Sequence, residues 1–129
     1  FGTTGQRCTA TSRVIIHEAI YKSFTQKFLE RVALLKVGNG LEAATQVGPL
    51  VSEGQLSTVE QYVAIGQKED KAKLLFGGKR LTGGHLAKGF FHEPTVFEGT
   101  PNMRIAQEEI LVRLQCFLRL AALRRGSKS

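Results

Sequence analysis

Hydrophobic residues recur at helical spacing between residues 18 and 35. The stripe consists of Ile20, Phe24, Phe28, Val32 and Leu35. Charged and amide side chains lie on other faces, namely Lys22, Gln26, Lys27, Glu30 and Arg31, so the spacing predicts an amphipathic helix whose stripe packs on a core. Gly38 is well placed to end that helix. Just before it, the β-branched run at 14–16 predicts a buried strand.

A second set of helically spaced apolar residues follows a loop. It comprises Leu56, Val59, Val63 and Ile65. Ser52 is a candidate N-cap for this helix, Gln55 lies on its first turns, and Gly66 marks its predicted end. The charged run at 68–71 predicts a solvated end beyond the helix.

Two later segments have the pattern of strands. Residues 72–76 form a short apolar run that Gly77 and Gly78 stop. Residues 90–97 form an aromatic run, in which Pro94 predicts an edge or irregular strand. The stretch between these two runs contains glycines and charged residues, and it predicts a surface loop.

The net charge of +7 raises the question of nucleic-acid binding. Residues 1–110 carry 13 basic and 11 acidic side chains, whereas residues 111–129 carry five basic side chains and no acid. A nucleic-acid groove would spread basic residues through the fold with aromatics between them, so we expect no nucleic-acid partner. The sequence has no apolar run of about 18 residues and no signal-peptide pattern, so we expect neither a membrane partner nor secretion.

The cysteines and histidines limit the remaining chemistry. Cys8 and Cys116 lie in different contexts that do not resemble a disulfide framework, which favours a cytoplasmic protein. The three histidines are isolated from one another and from the cysteines, so zinc-site spacing is absent and we expect no metal.

Cys8 follows a glycine-rich turn and precedes small side chains. Gly2 and Gly5 permit backbone angles that other residues resist, and the small neighbours leave the sulfur accessible. A helix starting near Gly5 would add the positive end of its dipole. This pattern is typical of a nucleophilic thiol, although a small buried cysteine at a helix start has the same local sequence.

The pattern Phe-x-x-x-Gly-Gln-x-Cys-Thr at 1–9, followed by Ser-Arg-Val, resembles the active-site motif of the NAD(P)-dependent aldehyde dehydrogenase family. The resemblance implies that Cys8 is the catalytic nucleophile. Its thiolate would add to the aldehyde, the thiohemiacetal would give hydride to NAD or NADP, and water would split the thioacyl-enzyme. The Cys8 N–H would form half of the oxyanion hole. The family's oxyanion asparagine and general-base glutamate precede the nucleophile and lie outside these 129 residues.

Two further motifs resemble segments that bind the cofactor in this family. The run at 103–110 resembles a family segment that continues Phe-Gly-Pro, which implies that Glu109 binds the nicotinamide ribose hydroxyls. A solvated acidic pair is the alternative. Gly-Pro-Leu-Val at 48–51 resembles the segment whose glutamine reaches the cofactor ribose, which implies a cofactor contact for Gln55. A solvent-facing Gln55 fits the spacing equally well.

The residues around the nucleophile resemble the branch of the family that acts on semialdehydes with a distal carboxylate, such as 2,5-dioxopentanoate and succinate semialdehyde. The resemblance implies that Arg7 could pair with that carboxylate, although a surface or interface role is equally compatible.

The resemblance stops after Ile110. A coding sequence for the family's Ile-Phe-Gly-Pro-Val-Ala-Val-Leu becomes Ile-Leu-Val-Arg-Leu-Gln-Cys-Phe when one T is lost, and this is the sequence of residues 110–117. We therefore divide the chain into a partial catalytic domain at 1–110 and an out-of-frame basic tail at 111–129. The tail is predicted to be poorly packed or a solitary helix. A basic amphipathic helix that binds a membrane or nucleic acid is the competing interpretation.

Together these resemblances imply a fragment of the aldehyde dehydrogenase catalytic domain, an α/β fold with an open, mostly parallel sheet and packed helices. The implied partner is a small-molecule aldehyde, and the full-length form would be a homo-oligomer. The fragment by itself is predicted to be inactive. The alternative is a non-catalytic remnant or interaction module.

Overall fold

The computed structural model describes residues 13–108 and 114–120. The chain order is β1 (Arg13–His17), α1 (Glu18–Ala33), α2 (Glu53–Ala64), β2 (Lys73–Phe76), β3 (Thr95–Gly99), α3 (Arg104–Gln107) and β4 (Leu114–Leu120). A π-helical turn at Ile65–Glu69 extends α2, and a 3-10 turn at Gly84–Lys88 lies in the loop before β3.

The four strands form one sheet in the order β1-β4-β3-β2. The pairs β1–β4 and β3–β4 are parallel, whereas β2–β3 is antiparallel. This confirms the prediction of an α/β fold with a mostly parallel sheet. Parallel neighbours need crossover connections, and helical segments lie between β1 and β3 in the chain.

Strand β4 corrects the prediction for the tail. Residues 114–120 are neither poorly packed nor a solitary helix, because they form a strand with a partner on each side. Leu114, Cys116 and Phe117 are almost fully buried in the core. The segment is buried because its side chains at these positions are apolar, and a strand between two parallel neighbours accepts apolar side chains on both faces.

Helix α1 confirms the first predicted helix and corrects its details. The His17 ring nitrogen Nδ1 accepts a hydrogen bond from Ala19 N at 3.1 Å and caps the start. The helix ends at Ala33, before Gly38, whose N–H donates to the Val47 carbonyl instead.

The buried face of α1 differs from the predicted stripe. Tyr21 and Val32 are buried, whereas Ile20 is 54% exposed and Phe24 37% exposed. Phe24 nevertheless stacks on Phe28, and Phe28 meets the ring of Phe117 edge-on with centroids 4.9 Å apart. The difference arises because α1 packs on the sheet through Tyr21, Phe28 and Leu29, which turns Ile20 away from the core.

Helix α2 confirms the second predicted helix. Ser52 Oγ accepts from Gln55 N at 3.2 Å, as expected for an N-cap. The chain does not leave the helix at Gly66 but continues through the π-helical turn. Beyond that turn Asp70 is only half-buried and accepts a hydrogen bond from Ile105 N, so the charged run at 68–71 is not wholly solvated.

The link between β2 and β3 depends on Gly77. Its φ of +76° lies in the left-handed region, and a Cβ there would lie 2.1 Å from the Pro94 carbonyl oxygen. Pro94 immediately precedes β3, and β3 is an interior strand. The prediction of an edge strand is therefore wrong, because Pro94 lies in the loop before the first paired residue of β3. The alternative of an irregular strand agrees with the register shift in the β2–β3 pair between Leu74 and Phe76.

The helices and the sheet enclose two clusters of buried side chains. The larger cluster joins α2, β3, α3 and β4; it includes Leu56, Val63, Phe97, Ile105, Ala106 and Cys116. The smaller cluster joins α1 to the sheet through Ile16, Tyr21, Val96 and Phe117. Helix α3 is thus fixed on the same core as α2.

Candidate functional site

The structure places only part of the predicted site. Arg7, Cys8 and Glu109 lie outside the described residues. Gln55 is half-buried on the first turn of α2, next to the core residue Leu56. The described residues that lead into the site are Arg13, five positions after Cys8, and α3, which ends two positions before Glu109.

Two hydrogen bonds from distant parts of the chain hold the backbone of α3. Asp70 Oδ2 accepts from Ile105 N at 3.1 Å, at the start of the helix. Arg13 Nη1 donates to the Ala106 carbonyl at 3.1 Å. A helix of four residues has few hydrogen bonds of its own, so contacts of this kind decide its position. The segment before Glu109 is therefore tied to β1 and to the end of the π-helical turn.

A network of charged side chains covers the outer side of α3. Arg104 donates from Nε and Nη2 to the two carboxylate oxygens of Glu108, each at 3.2 Å. Its Nη1 also donates to Glu69 Oε2 at 3.2 Å. The bidentate pair fixes the Glu108 side chain against its own helix. Burial and the Glu108 carboxylate raise the pKa of the neighbouring Tyr62.

The buried thiol of Cys116 lies beneath this region. Burial raises the pKa of Cys116 to about 11; the Asp70 carboxylate acts in the same direction and the Arg13 guanidinium in the opposite one. Cys116 pairs in register with Arg13 across the β1–β4 ladder. Its sulfur is therefore a neutral, enclosed thiol at physiological pH, unlike a nucleophile.

A second polar cluster lies under α1. Arg119 Nη2 donates to Glu98 Oε1 at 3.2 Å, and the Arg119 guanidinium lies 4.2 Å from the centre of the Tyr21 ring. Burial and Glu98 raise the pKa of Tyr21 to about 12. These side chains border a cavity of about 520 Å³, which Gln55, the described member of the predicted site, does not line.

Two other kinds of site are absent from the described part of the chain. Within residues 13–108 and 114–120, no three His, Cys, Asp or Glu side chains are grouped so that they could bind a metal. None of the described helices combines the length and the apolarity needed to cross a membrane.

Sequence reasoning missed the contacts of Arg13 and Asp70. The sequence presents Arg13 only as part of the motif around Cys8, and Asp70 only as one charge in a run predicted to be solvated. Their partners in α3 lie 93 and 35 residues away in the chain. Local sequence carries no signal for such contacts, because they depend on how the strands are ordered in the sheet.

Comparison with known proteins identifies the family. The sequence model of the aldehyde dehydrogenase family matches residues 1–119. The match extends past Ile110 and includes most of β4. Among curated relatives, the 2,5-dioxopentanoate dehydrogenase of Saccharolobus solfataricus is 49% identical over 111 residues, which is 85% of this chain. The alpha-ketoglutaric semialdehyde dehydrogenase of Bacillus subtilis is 41% identical over 111 residues, again 85% of this chain.

Solved structures also superpose closely on this chain. The crystal structure of HpcC from Thermus thermophilus superposes on 93% of this chain with a TM-score of 0.89 and 40% identity. A betaine aldehyde dehydrogenase from Staphylococcus aureus in complex with NAD+ superposes on 92% of it with a TM-score of 0.88 and 34% identity.

The chain is short beside these proteins. It covers 22% of the length of each of the two curated relatives and 24% of each of the two structures. The four-stranded sheet is thus a fragment of a larger fold. Because the family model matches nearly the whole chain and the superposition is equally extensive, the chain belongs to the aldehyde dehydrogenase family.

Proposed function

We propose that this chain is part of a longer NAD(P)-dependent aldehyde dehydrogenase that oxidises a carboxylated semialdehyde to the acid. The observation that carries the proposal is the 49% identity to a 2,5-dioxopentanoate dehydrogenase, together with an intact Gly-Gln-Arg-Cys-Thr motif at 5–9. By "full-length enzyme" we mean the protein in which the family sequence continues on both sides of residues 1–110.

Cys8 is the nucleophile in this proposal. Its thiolate forms a C–S bond to the aldehyde carbon, and the carbonyl oxygen becomes an oxyanion that the Cys8 N–H helps to stabilise. Collapse of the oxyanion expels hydride and leaves a thioester on Cys8. Water, deprotonated by the family's upstream glutamate, then splits the thioester and releases the carboxylic acid.

The cofactor is NAD or NADP, which accepts the hydride when bound. The residues present fit such a group: Glu109 offers two carboxylate oxygens to ribose hydroxyls, and Gln55 offers an amide. Support comes from the packing, since α2, which carries Gln55, and α3, which leads to Glu109, share one core. The helix that carries Gln55 therefore has a fixed position relative to α3, the helix that precedes Glu109 in the chain.

Arg7 is proposed to bind the distal carboxylate of the substrate. A guanidinium presents paired N–H donors that match a carboxylate, and Arg7 is adjacent to the nucleophile in the chain. This assignment accounts for a preference for semialdehydes over simple aldehydes.

The full-length enzyme is further proposed to be a cytoplasmic homo-oligomer without a resident metal. Cys8, the cysteine within residues 1–110, lies in a sequence that does not resemble a disulfide framework, which suits a reducing compartment. Light scattering of the purified full-length enzyme would test the oligomeric state, and a monomer at working concentration would contradict it.

The division at residue 110 is a proposal about the gene. Residues 1–110 form the partial catalytic domain, and residues 111–129 are translated from a shifted frame. Burial of β4 is compatible with either frame, because the shifted peptide also supplies apolar residues at 114 and 116–118. Resequencing the locus decides this point: the alternate frame should continue with Phe-Gly-Pro and family sequence, and its absence would contradict the frameshift.

Kinetics of the full-length enzyme test the main proposal. We expect saturable NAD(P)-dependent oxidation of 2,5-dioxopentanoate, abolished by Cys8→Ala. Arg7→Ala should raise KM for the semialdehyde about 10- to 100-fold while leaving KM for an uncharged aldehyde of similar length nearly unchanged. Activity that survives Cys8→Ala would overturn the mechanism.

A further inference from the structure

One hydrogen bond joins the two segments on which the proposed chemistry depends. Arg13 Nη1 donates to the Ala106 carbonyl at 3.1 Å, across 93 residues of chain. Arg13 opens β1, five residues after Cys8, and Ala106 lies in α3, three residues before Glu109. The bond therefore connects the strand that follows the nucleophile to the helix that precedes the ribose carboxylate.

The Arg13 end of this bond is anchored in the sheet. The backbone of Arg13 belongs to the β1–β4 ladder, where it pairs with Cys116 on a buried interior strand. The guanidinium is planar and donates in fixed directions, so a carbonyl bound to it is held in orientation as well as in distance. The sheet thus provides a rigid reference for the position of α3.

The α3 end is held at two points. Asp70 Oδ2 accepts from Ile105 N at the helix start, and Arg13 binds the carbonyl of Ala106, the next residue along the helix. The side chains of Ile105 and Ala106 are buried in the core. Packing keeps α3 on the core, and the two hydrogen bonds to its backbone orient it. The ion pair of Arg104 with Glu69 is a further contact, but its side chains are about half exposed, so it constrains the helix less.

Arg13 has little to contribute to global stability. The residue as a whole is exposed and its hydrogen bond to Ala106 is only partly buried, so removing this bond should cost a small part of the free energy of unfolding. Loss of the Arg13 bond should therefore displace α3 while lowering the free energy of unfolding only slightly. This separates a positioning role from a merely structural one.

We propose that Arg13 is a positioning residue for hydride transfer, which holds α3 so that Glu109 keeps its place relative to Cys8. The inference rests on the proposed function, in which Glu109 binds the nicotinamide ribose. Rates of transfer between bound groups are sensitive to displacements of about 1 Å. Removing one of the two hydrogen bonds that orient α3 should therefore slow hydride transfer about tenfold.

A double-mutant cycle in the full-length enzyme tests the proposal. The variants are Arg13→Ala, Glu109→Gln and the double variant, and the measurement is the single-turnover rate of NAD(P)H formation. Arg13→Ala should slow this step about tenfold in the parent enzyme but less than about twofold when Glu109 is already Gln, because the two residues act through one contact. The rate at which iodoacetamide alkylates Cys8 should be nearly the same in Arg13→Ala as in the parent enzyme.

Two further variants control for nonspecific effects. Arg13→Lys retains a donor that can reach a carbonyl and should recover a substantial part of the rate. Arg31→Ala removes an arginine from the exposed last turn of α1 and should leave the rate unchanged. Thermal unfolding of every variant shows whether a rate change merely follows a loss of stability.

The outcomes distinguish this proposal from the proposed function. Independent, multiplicative effects of Arg13→Ala and Glu109→Gln would overturn the positioning role while leaving both residues relevant to catalysis. Unchanged hydride transfer in Arg13→Ala would overturn it as well. If Glu109→Gln has no effect but Cys8→Ala abolishes activity, the positioning role falls with the Glu109 assignment and the dehydrogenase chemistry stands. Activity that survives Cys8→Ala would overturn the proposed function itself.

Discussion

The ring of Phe97 lies directly against the backbone of Gly66. A Cβ on residue 66 would lie 3.0 Å from Cζ of Phe97 and 3.2 Å from its Cε1. Phe97 is fully buried in β3, so its ring has little room to move away. The glycine that the sequence marked as a helix end therefore serves to admit an aromatic ring.

Gly66→Ala should destabilise the chain by about 1 to 3 kcal/mol through overpacking. Urea denaturation measures the free energy of unfolding. Gly40→Ala is the matched control, because a Cβ there meets nothing within 4 Å. A Gly66→Ala variant as stable as the Gly40→Ala variant would show that the ring can shift.

Phe117→Ala tests whether β4 contributes to the fold. The ring is fully buried and meets Phe28 edge-on, so its removal should cost about 3 to 5 kcal/mol. The control on the same strand is Arg119→Ala, which removes an ion pair whose Arg119 side chain is half exposed and should cost at most about 1 kcal/mol. Equal stability of the two variants in urea denaturation would mean that residues after 110 add nothing to the core.

The two thiols should differ in reactivity when each is measured in the protein that contains it: Cys8 in the full-length enzyme, and Cys116 in the 129-residue chain, because the restored frame replaces residues 111–129. Cys116 has its pKa raised to about 11 by burial, so at about pH 8 its thiol is almost entirely protonated. Iodoacetamide followed by peptide mass mapping should label Cys8 much faster than Cys116. In concentrated urea the two rates should converge, and equal rates for Cys8 in the native full-length enzyme and Cys116 in the native 129-residue chain would refute the assignment of Cys8 as the presented nucleophile.

The same pKa shift predicts a loss of stability in alkali. The folded state raises the pKa of Cys116 from 9.0 to about 11, so the unfolded state releases its proton first as pH rises. Between these values the unfolded state binds fewer protons, and the free energy of unfolding should fall with rising pH. Cys116→Ala should flatten this part of the profile, and a parent and a variant with identical slopes between about pH 9 and 11 would contradict the account.

The 129-residue chain by itself should not oxidise aldehydes. Hydride transfer needs a bound nicotinamide, and deacylation needs a general base that the family supplies upstream of Cys8. An absorbance assay for NAD(P)H with 2,5-dioxopentanoate measures this directly, with the full-length enzyme as positive control. Saturable turnover by the chain, abolished by Cys8→Ala, would contradict the prediction.

Local sequence determined the elements that depend on short-range chemistry. Ser52 predicts a cap because its hydroxyl needs only an amide three residues away, and that bond is present. Gly77 predicts a turn because its backbone has access to positive φ. The motif around Cys8 likewise pointed to the family, because nucleophilic chemistry constrains neighbouring residues in the chain.

Tertiary structure alone decided the contacts between distant segments. Periodicity located the apolar stripe of α1 but could not show that Ile20 remains exposed, since that depends on which side of the helix meets the sheet. Composition marked residues 114–120 as part of an aberrant tail, yet apolar side chains between two parallel strands are buried whatever their origin. The bond from Arg13 to Ala106 exists only because the order β1-β4-β3 brings distant parts of the chain together, and no spacing along the sequence encodes that order.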